Sequence, residues 1–246
     1  MKPEIIISSI GIIGYRIVSP LFQENTYVMV DEKHASAIVI DPGVQCYNAV
    51  MRVLRQTGCR VKYIILTHEH YDHIGSINQL RECCKCQVVA SPSCSSNITN
   101  AKKNLSLFYD PAGYIAEPAD ILVCEDGISI PWCRCELRVF RTPGHTNGGV
   151  CVHILDHLFT GDTIIKNERT VTKLPGGSGL LLMKSIEYIF TVFSPSTVLL
   201  PGHGESMLLC ETLPQIHHPH SLSSKMVHIV SEWGMSNAIR ARGPWD

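Results

Sequence analysis

Thr67-His68-Glu69-His70-Tyr71-Asp72-His73 places three imidazoles and two carboxylates between His68 and His73. It directly follows Val61-Lys62-Tyr63-Ile64-Ile65-Leu66, a run with the length and β-branched content of a buried strand. Gly75 comes next, and a helical segment is expected from about Ile74 to Cys83. A strand that ends in a ligand-dense loop suits a metal, because the strand fixes the backbone while the loop aims side chains inward. His68 and His70 are two apart, so an extended loop can point both at one ion. Asp72 and His73 lie past the bend and can serve a second ion. A solvated polar loop is the plainer reading, but imidazoles rarely cluster without a metal to bind.

Outward from this stretch, strands are expected at Tyr15 to Val18, Thr26 to Val30 and Ala37 to Ile40, the last stopped by Asp41-Pro42-Gly43. Val50, Val53 and Leu54 then recur at helical spacing, with Gly58 as the stop. A strand is expected near Gln87 to Ala90, and irregular structure with one short helix over residues 91–120. Arg134 to Phe140 reads as a strand running into Thr142-Pro143-Gly144-His145. A hairpin at Val150 to Leu155 and His157 to Thr160 runs into Gly161-Asp162-Thr163. A helix from about Leu180 to Phe193 precedes a last strand, Val198 to Leu200, that stops at Pro201-Gly202-His203-Gly204. Four strand ends therefore carry a His or an Asp, and strand-rich halves punctuated by helices suggest two sheets with helices outside.

The remaining features set bounds. The 246 residues are 45% hydrophobic and 17% charged, the balance of a compact globular chain, and the net charge is -1 with no basic run. That argues against nucleic acid as a partner, since phosphate recognition needs a clustered basic surface. No run approaches the ~18 apolar residues of a membrane span, and Ile5-Ile6-Ile7-Ser8-Ser9-Ile10 reads as a first strand rather than a signal peptide. The eleven cysteines, an odd number, read as free thiols of a reducing cytoplasm rather than a disulfide framework. His217-His218-Pro219-His220 reads as a surface cluster, and Ser221 to Trp233 as an amphipathic helix. The division expected is residues 1–220 as one domain and 221–246 as a C-terminal helix and tail, with Trp233 and Trp245 packing on the core, covering the cleft or lying at a homodimer surface.

Together THEHYDH, TPGH at 142–145, GDT at 161–163 and PGHG at 201–204 resemble the metallo-β-lactamase superfamily, with ENTYV at 24–28 and VIDPG at 39–43 in support. The likeness runs from about Tyr15 to about Pro219. Thr146-Asn147-Gly148-Gly149 and Leu174-Pro175-Gly176-Gly177 make it most similar to the small glyoxalase II-like hydrolases. The resemblance implies a four-layer αβ/βα sandwich holding two divalent ions, zinc in the first place, with iron or manganese as alternatives. His68, His70 and His145 would hold one ion, and Asp72, His73 and His203 the other, with Asp162 bridging. Asp41 would accept a hydrogen bond from a ligand histidine; read alone, it could equally cap a helix or a turn. A metal-bridging hydroxide would attack a small ester, thioester or related carbonyl substrate, with Asp72 orienting it and passing on its proton. Glu69 and Tyr71 alternate with the ligands and are expected to face away or line the rim.

Two departures narrow the expectation. The stretch after His203 lacks the basic helical domain of true glyoxalase II enzymes, so a smaller substrate than S-lactoylglutathione is expected. Persulfide dioxygenases share much of the motif set but use one iron, and carry Gly-Arg-Thr-Asp where this chain has Glu168-Arg169-Thr170-Val171. They remain the alternative.

Overall fold

A computed structural model describes residues 1–124 and 127–215. The cluster at 217–220, the expected helix at 221–233 and the tail all lie outside the described residues.

The first half builds a seven-stranded sheet. Its strands are β1 (Glu4–Ser9), β2 (Ile12–Val18), β3 (Asn25–Asp31), β4 (Ser36–Ile40), β5 (Arg60–Ile65), β6 (Gln87–Ala90) and β7 (Ile121–Leu122), in spatial order β1 to β7. β1 to β4 are antiparallel, and β4 to β7 run parallel. The parallel crossovers carry α1 (Tyr47–Thr57), then α2 (Tyr71–Ile74) and α3 (Ile77–Cys84), then α4 (Pro92–Asn97). The second half builds a six-stranded sheet from β8 (Ile128–Trp132), β9 (Cys135–Arg141), β10 (Val150–Ile154), β11 (His157–Gly161), β12 (Val198–Pro201) and β13 (Met207–Leu208). The crossover from β11 to its parallel neighbour β12 is α5 (Gly179–Val192).

Strand alternation sorts the side chains into layers, because successive residues point to opposite faces. Val28, Val30, Val39 and Ile64 face Val50, Val53, Leu54, Ile77 and Leu80 of the outer helices. Their neighbours Tyr27, Met29, Ile38, Ile40 and Ile65 face the other sheet and meet Leu137, Val139, Val152, Phe159 and Leu200. On the far side, Phe140, Cys151, Leu158 and Leu199 pack under Leu182, Ile186, Ile189 and Phe190 of α5. The result is the four-layer αβ/βα sandwich. A strand covered on both faces reads as a continuous apolar run, which is why β4 and β5 were conspicuous in the sequence.

The helix expected from Ile74 to Cys83 is two helices, broken at Gly75-Ser76. A Cβ on Gly75 would lie 2.4 Å from Val44 Cγ2, and Ser76 donates from N to Pro42 O (2.9 Å) and from Oγ to Gly43 O (2.5 Å). Contact with the turn after β4 overrides helical continuity there. β8 fell outside the expected strands, as did the two-residue strands β7 and β13. All eleven cysteines are free. No helix among the described residues is long and apolar enough to cross a membrane.

Phe159 is fully buried between the sheets, edge-on to Tyr27 with ring centroids 5.0 Å apart. Phe159→Ala is expected to lower unfolding stability by about 3–5 kcal/mol, read from the urea midpoint at unchanged slope.

Candidate metal centre

Five strand ends meet at one edge of the sandwich: β4 at Asp41, β5 at Thr67 to His70, β9 at Thr142 to His145, β11 at Asp162 and β12 at Gly202-His203. Backbone hydrogen bonds stitch these ends together. Val150 N donates to Thr67 O (2.8 Å), Gly202 N to Gly161 O (2.8 Å) and Asn25 N to Gly202 O (2.7 Å). Glycine is required at two of the joints. A Cβ on Gly202 would sit 2.4 Å from Asp162 Oδ1, and one on Gly161, at φ +48°, would sit 2.4 Å from Thr67 Oγ1.

The seven expected ligands converge in two adjoining groups. His70 Nδ1 lies 3.1 Å from His68 Nε2 and 2.9 Å from His145 Nε2. In the second group, His203 Nε2 is 3.2 Å and His73 Nε2 3.6 Å from Asp72 Oδ2. The Asp162 carboxylate stands between the groups. Its Oδ2 is 3.6 Å from His145 Nε2 and 3.8 Å from His203 Nε2, and its Oδ1 is 3.6 Å from His73 Nε2. These separations straddle about 3.3 Å, the edge of a tetrahedron with ~2.0–2.1 Å metal bonds.

Two observations show that the residues fit such ions. His73 Nε2 and Asp162 Oδ1 are buried with no hydrogen-bond partner, although buried polar atoms are nearly always satisfied. The outward ring nitrogens are also engaged, so that in the neutral ring the inward nitrogen is the lone pair a metal would take. His145 Nδ1 faces Val171 O at 2.8 Å, a partner that can only accept. His73 Nδ1 lies 3.0 Å from Asp41 Oδ2. Thr67 Oγ1 donates to Asp41 Oδ2 (2.5 Å) and faces His68 Nδ1 (3.1 Å), so it accepts the imidazole proton. Asp41 Oδ1 also accepts from Thr67 N (2.7 Å). One carboxylate thus orients a histidine in each group. Asp41 caps no helix, since α1 begins only at Tyr47.

Electrostatics divide the groups. Burial holds His68 well below the usual imidazole range, with its histidine neighbours adding to the effect. Burial and His145 take His70 down to about 4. Burial also opposes charge on His73, but Asp72, Asp162 and Asp41 outweigh it and raise His73 to about 10. His203 is raised against its burial by Asp72 and Asp162. Asp72 is held below the carboxylate range, burial being outweighed by His73 and His203. His68 and His70 are therefore held as neutral imidazoles, as metal ligation needs, while the second group holds a proton where a cation would stand.

Three residues around the site escaped the sequence reading. Thr67 is not a ligand type, and Val171 acts only through its carbonyl. Glu69 does point away from the ligand groups but lines no rim: it is 2% exposed, with Oε1 accepting from Asn97 Nδ2 (2.8 Å) and Oε2 from Thr146 Oγ1 (3.0 Å). It ties α4 and the β9–β10 turn to the ligand loop. Tyr71 is half-buried at the rim, as expected. Another grouping, Asp31, His34 and Cys133, has a plainer explanation. Asp31 Oδ1 accepts from His34 N (3.1 Å), capping a short turn, and Arg134 Nε lies 3.5 Å from Oδ2.

The sequence profile of the metallo-beta-lactamase superfamily matches residues 19–203. An uncharacterised protein of Mycobacterium tuberculosis is 32% identical over 193 residues, 74% of this chain and 86% of that protein. A Bacillus subtilis protein named as the probable polyketide biosynthesis zinc-dependent hydrolase PksB is 28% identical over 178 residues, 72% of each chain. Among solved structures, the BLEG-1 B3 metallo-beta-lactamase superposes with a TM-score of 0.76 at 27% identity, covering 84% of this chain and 98% of that one. With the ligand groups at the strand ends where those motifs fall, the chain belongs to the metallo-beta-lactamase superfamily.

Proposed function

We propose that the protein is a binuclear metal-dependent hydrolase, glyoxalase II-like, that cleaves a small ester, thioester or related carbonyl substrate. The observation that carries this reading is the Asp162 carboxylate, within 3.6–3.8 Å of His145, His73 and His203 and so placed to bridge two ions. His68, His70 and His145 would hold one ion, and Asp72, His73 and His203 the other. When bound, the ions supply Lewis acidity that activates water near neutral pH and polarises a carbonyl. Zinc suits this nitrogen and oxygen donor set, and iron or manganese would also be accepted.

The chain's own residues do the positioning. Asp41, Thr67 and Val171 set the ring orientation and protonation of His73, His68 and His145. Asp72 is kept ionised beside the substrate side of the centre, where its side chain is 22% exposed and that of His203 21%, against none for His73. A carboxylate so placed can accept the proton of an attacking water and hand it to the leaving group. Thr170 Oγ1 donates to Asp162 O (3.0 Å), so Thr170 and Val171, within the segment that departs from the persulfide dioxygenase pattern, support Asp162 and His145.

Elemental analysis of untagged protein is expected to find about two metal ions per chain, falling to about one in His203→Ala, together with thioester or lactone hydrolysis by the wild type. A single iron retained in His203→Ala would replace this reading with a persulfide dioxygenase. Asp41→Asn, which removes the charge behind two ligands, is expected to weaken zinc about 10–100-fold, measured by chelator competition.

The pKa shifts also fix a pH profile for metal-free protein. Between about 4 and 6.5 the unfolded chain binds the extra proton at His70, so stability rises with pH. Between about 6.5 and 10 the folded chain holds the extra proton at His73, so stability falls with pH. Urea unfolding is expected to give a maximum near pH 6.5, with the alkaline decline removed by added zinc.

A further inference from the structure

Exposed apolar side chains gather on segments beside the ligand loop. Phe108 is 78% exposed, Tyr109 61% and Leu21 59%. Tyr109 forms one aromatic group with two half-buried rings, Phe22 and Tyr71, and Leu21 and Phe108 are the chain neighbours of Phe22 and Tyr109. Phe22 stands edge-on to Tyr109 (4.8 Å between centroids) and to Tyr71 (6.1 Å), and Tyr71 stacks on Tyr109 at 6.5 Å. The group adjoins the second set of ligands. Tyr71 lies in the chain between His70 and Asp72, and Phe22 lies two residues before Glu24, whose backbone pairs with His203. Val171, whose carbonyl orients His145, is 52% exposed.

Packing among the described residues leaves these side chains uncovered. The turn that presents Phe108 is built around buried polar groups rather than left loose. Asn104 is fully buried, donating from Nδ2 to Tyr114 O (2.7 Å) and accepting from Ser106 N (2.9 Å). Ser106 Oγ accepts from Tyr114 N (2.8 Å), and Tyr71 N donates to Asn104 O (2.9 Å), tying the turn to the ligand loop. Leu105 takes a left-handed φ of +66° to enter the turn. A firmly held turn that keeps a phenyl ring in water and is hydrogen-bonded to the ligand loop is the arrangement of a binding wall.

We infer that Leu21, Phe22, Tyr71, Phe108 and Tyr109 form the wall that receives the apolar acyl or aryl substituent of the substrate, with its carbonyl at the metal centre. This rests on the hydrolase reading above for the centre itself. Continuity with the ligand loop selects the substrate as occupant, because a group attached to a carbonyl at Asp72 and His203 has this surface next to it. The preferred substrates are medium-chain or aromatic acyl esters and thioesters rather than acetyl compounds.

The test is a ladder of N-acetylcysteamine thioesters, acetyl to octanoyl, given to the metal-loaded wild type, Phe108→Ser and Tyr109→Ser. A matching ladder of non-hydrolysable methyl ketones is titrated by calorimetry into loaded and metal-free protein. Wild-type kcat/KM and ketone affinity are expected to rise about two- to fourfold per methylene, mainly through KM. The rise should flatten by at least half in either variant. Both positions are exposed, so the variants keep the wild-type circular dichroism. Flat ladders in wild type with turnover of short thioesters would overturn the wall and leave the hydrolase standing. A ketone ladder lost in Phe108→Ser, with no thioester cleaved by wild type, would keep the apolar site and overturn the hydrolase reading. A wild-type dimer that becomes a monomer in Phe108→Ser would make this face a subunit contact and overturn the proposal.

Discussion

The arrangement depends on the Asp41 carboxylate and the three hydrogen bonds it accepts from Thr67 N, Thr67 Oγ1 and His73 Nδ1. Asp41 closes β4 and Thr67 follows β5, two parallel neighbours of one sheet, so the contact fixes where both strands end relative to each other. Through Thr67 it orients His68 in the first ligand group, and directly it orients His73 in the second. Asp41 holds a left-handed φ of +47°, an uncommon conformation for a non-glycine residue but one that aspartate tolerates better than most. A 1% exposed carboxylate needs such partners, since burying a polar group without hydrogen bonds is costly.

The sandwich explains why one edge collects all seven candidate ligands. Parallel strands joined by crossover helices present their carboxyl ends on one side, and β5 and β12 both end in ligand-bearing turns there. The loops must then pass one another closely, which accounts for glycine at 161 and 202. The inter-sheet layer of Tyr27, Met29, Phe159 and Leu200 holds the two halves in register beneath them. Tyr27 joins that layer to the site by donating from its hydroxyl to Pro201 O (2.6 Å), one residue from Gly202.

The seven candidate ligands stood out in the sequence for a physical reason: polar, metal-binding side chains at the ends of doubly buried strands have few other uses. The same logic made β3, β4, β5 and the β10–β11 hairpin readable, because their apolar runs are bounded by turn residues. What escaped depends on contacts between distant segments. The break at Gly75-Ser76 exists because Val44 presses on that point, which helical periodicity cannot reveal. Thr67 and Val171 act through a hydroxyl and a carbonyl that many residues could supply, so neither announces itself. Glu69 alternates with the ligands and yet is buried, because Asn97 and Thr146 arrive from other elements to meet it. β8 escaped because it is an edge strand, exposed on one face and carrying Pro131.

The charge arrangement of the site argues for cations independently of any likeness. Asp72, Asp162 and Asp41 surround His73 closely enough to raise it to about 10, so a proton occupies the second group in their field. A single proton on one imidazole is a poor match for carboxylates placed on several sides, and Asp162 Oδ1 is left without a hydrogen-bond partner. A divalent ion would satisfy His73 Nε2 and Asp162 Oδ1 at once and release the proton. Metal binding and the folded geometry are then coupled: the fold holds ligands that repel or lack partners, and the ion recovers that free energy. In the first group, His68 and His70 are held neutral and have no proton to displace. Uptake at the second group should therefore be the more pH-sensitive of the two, and the ordering follows from the residues alone.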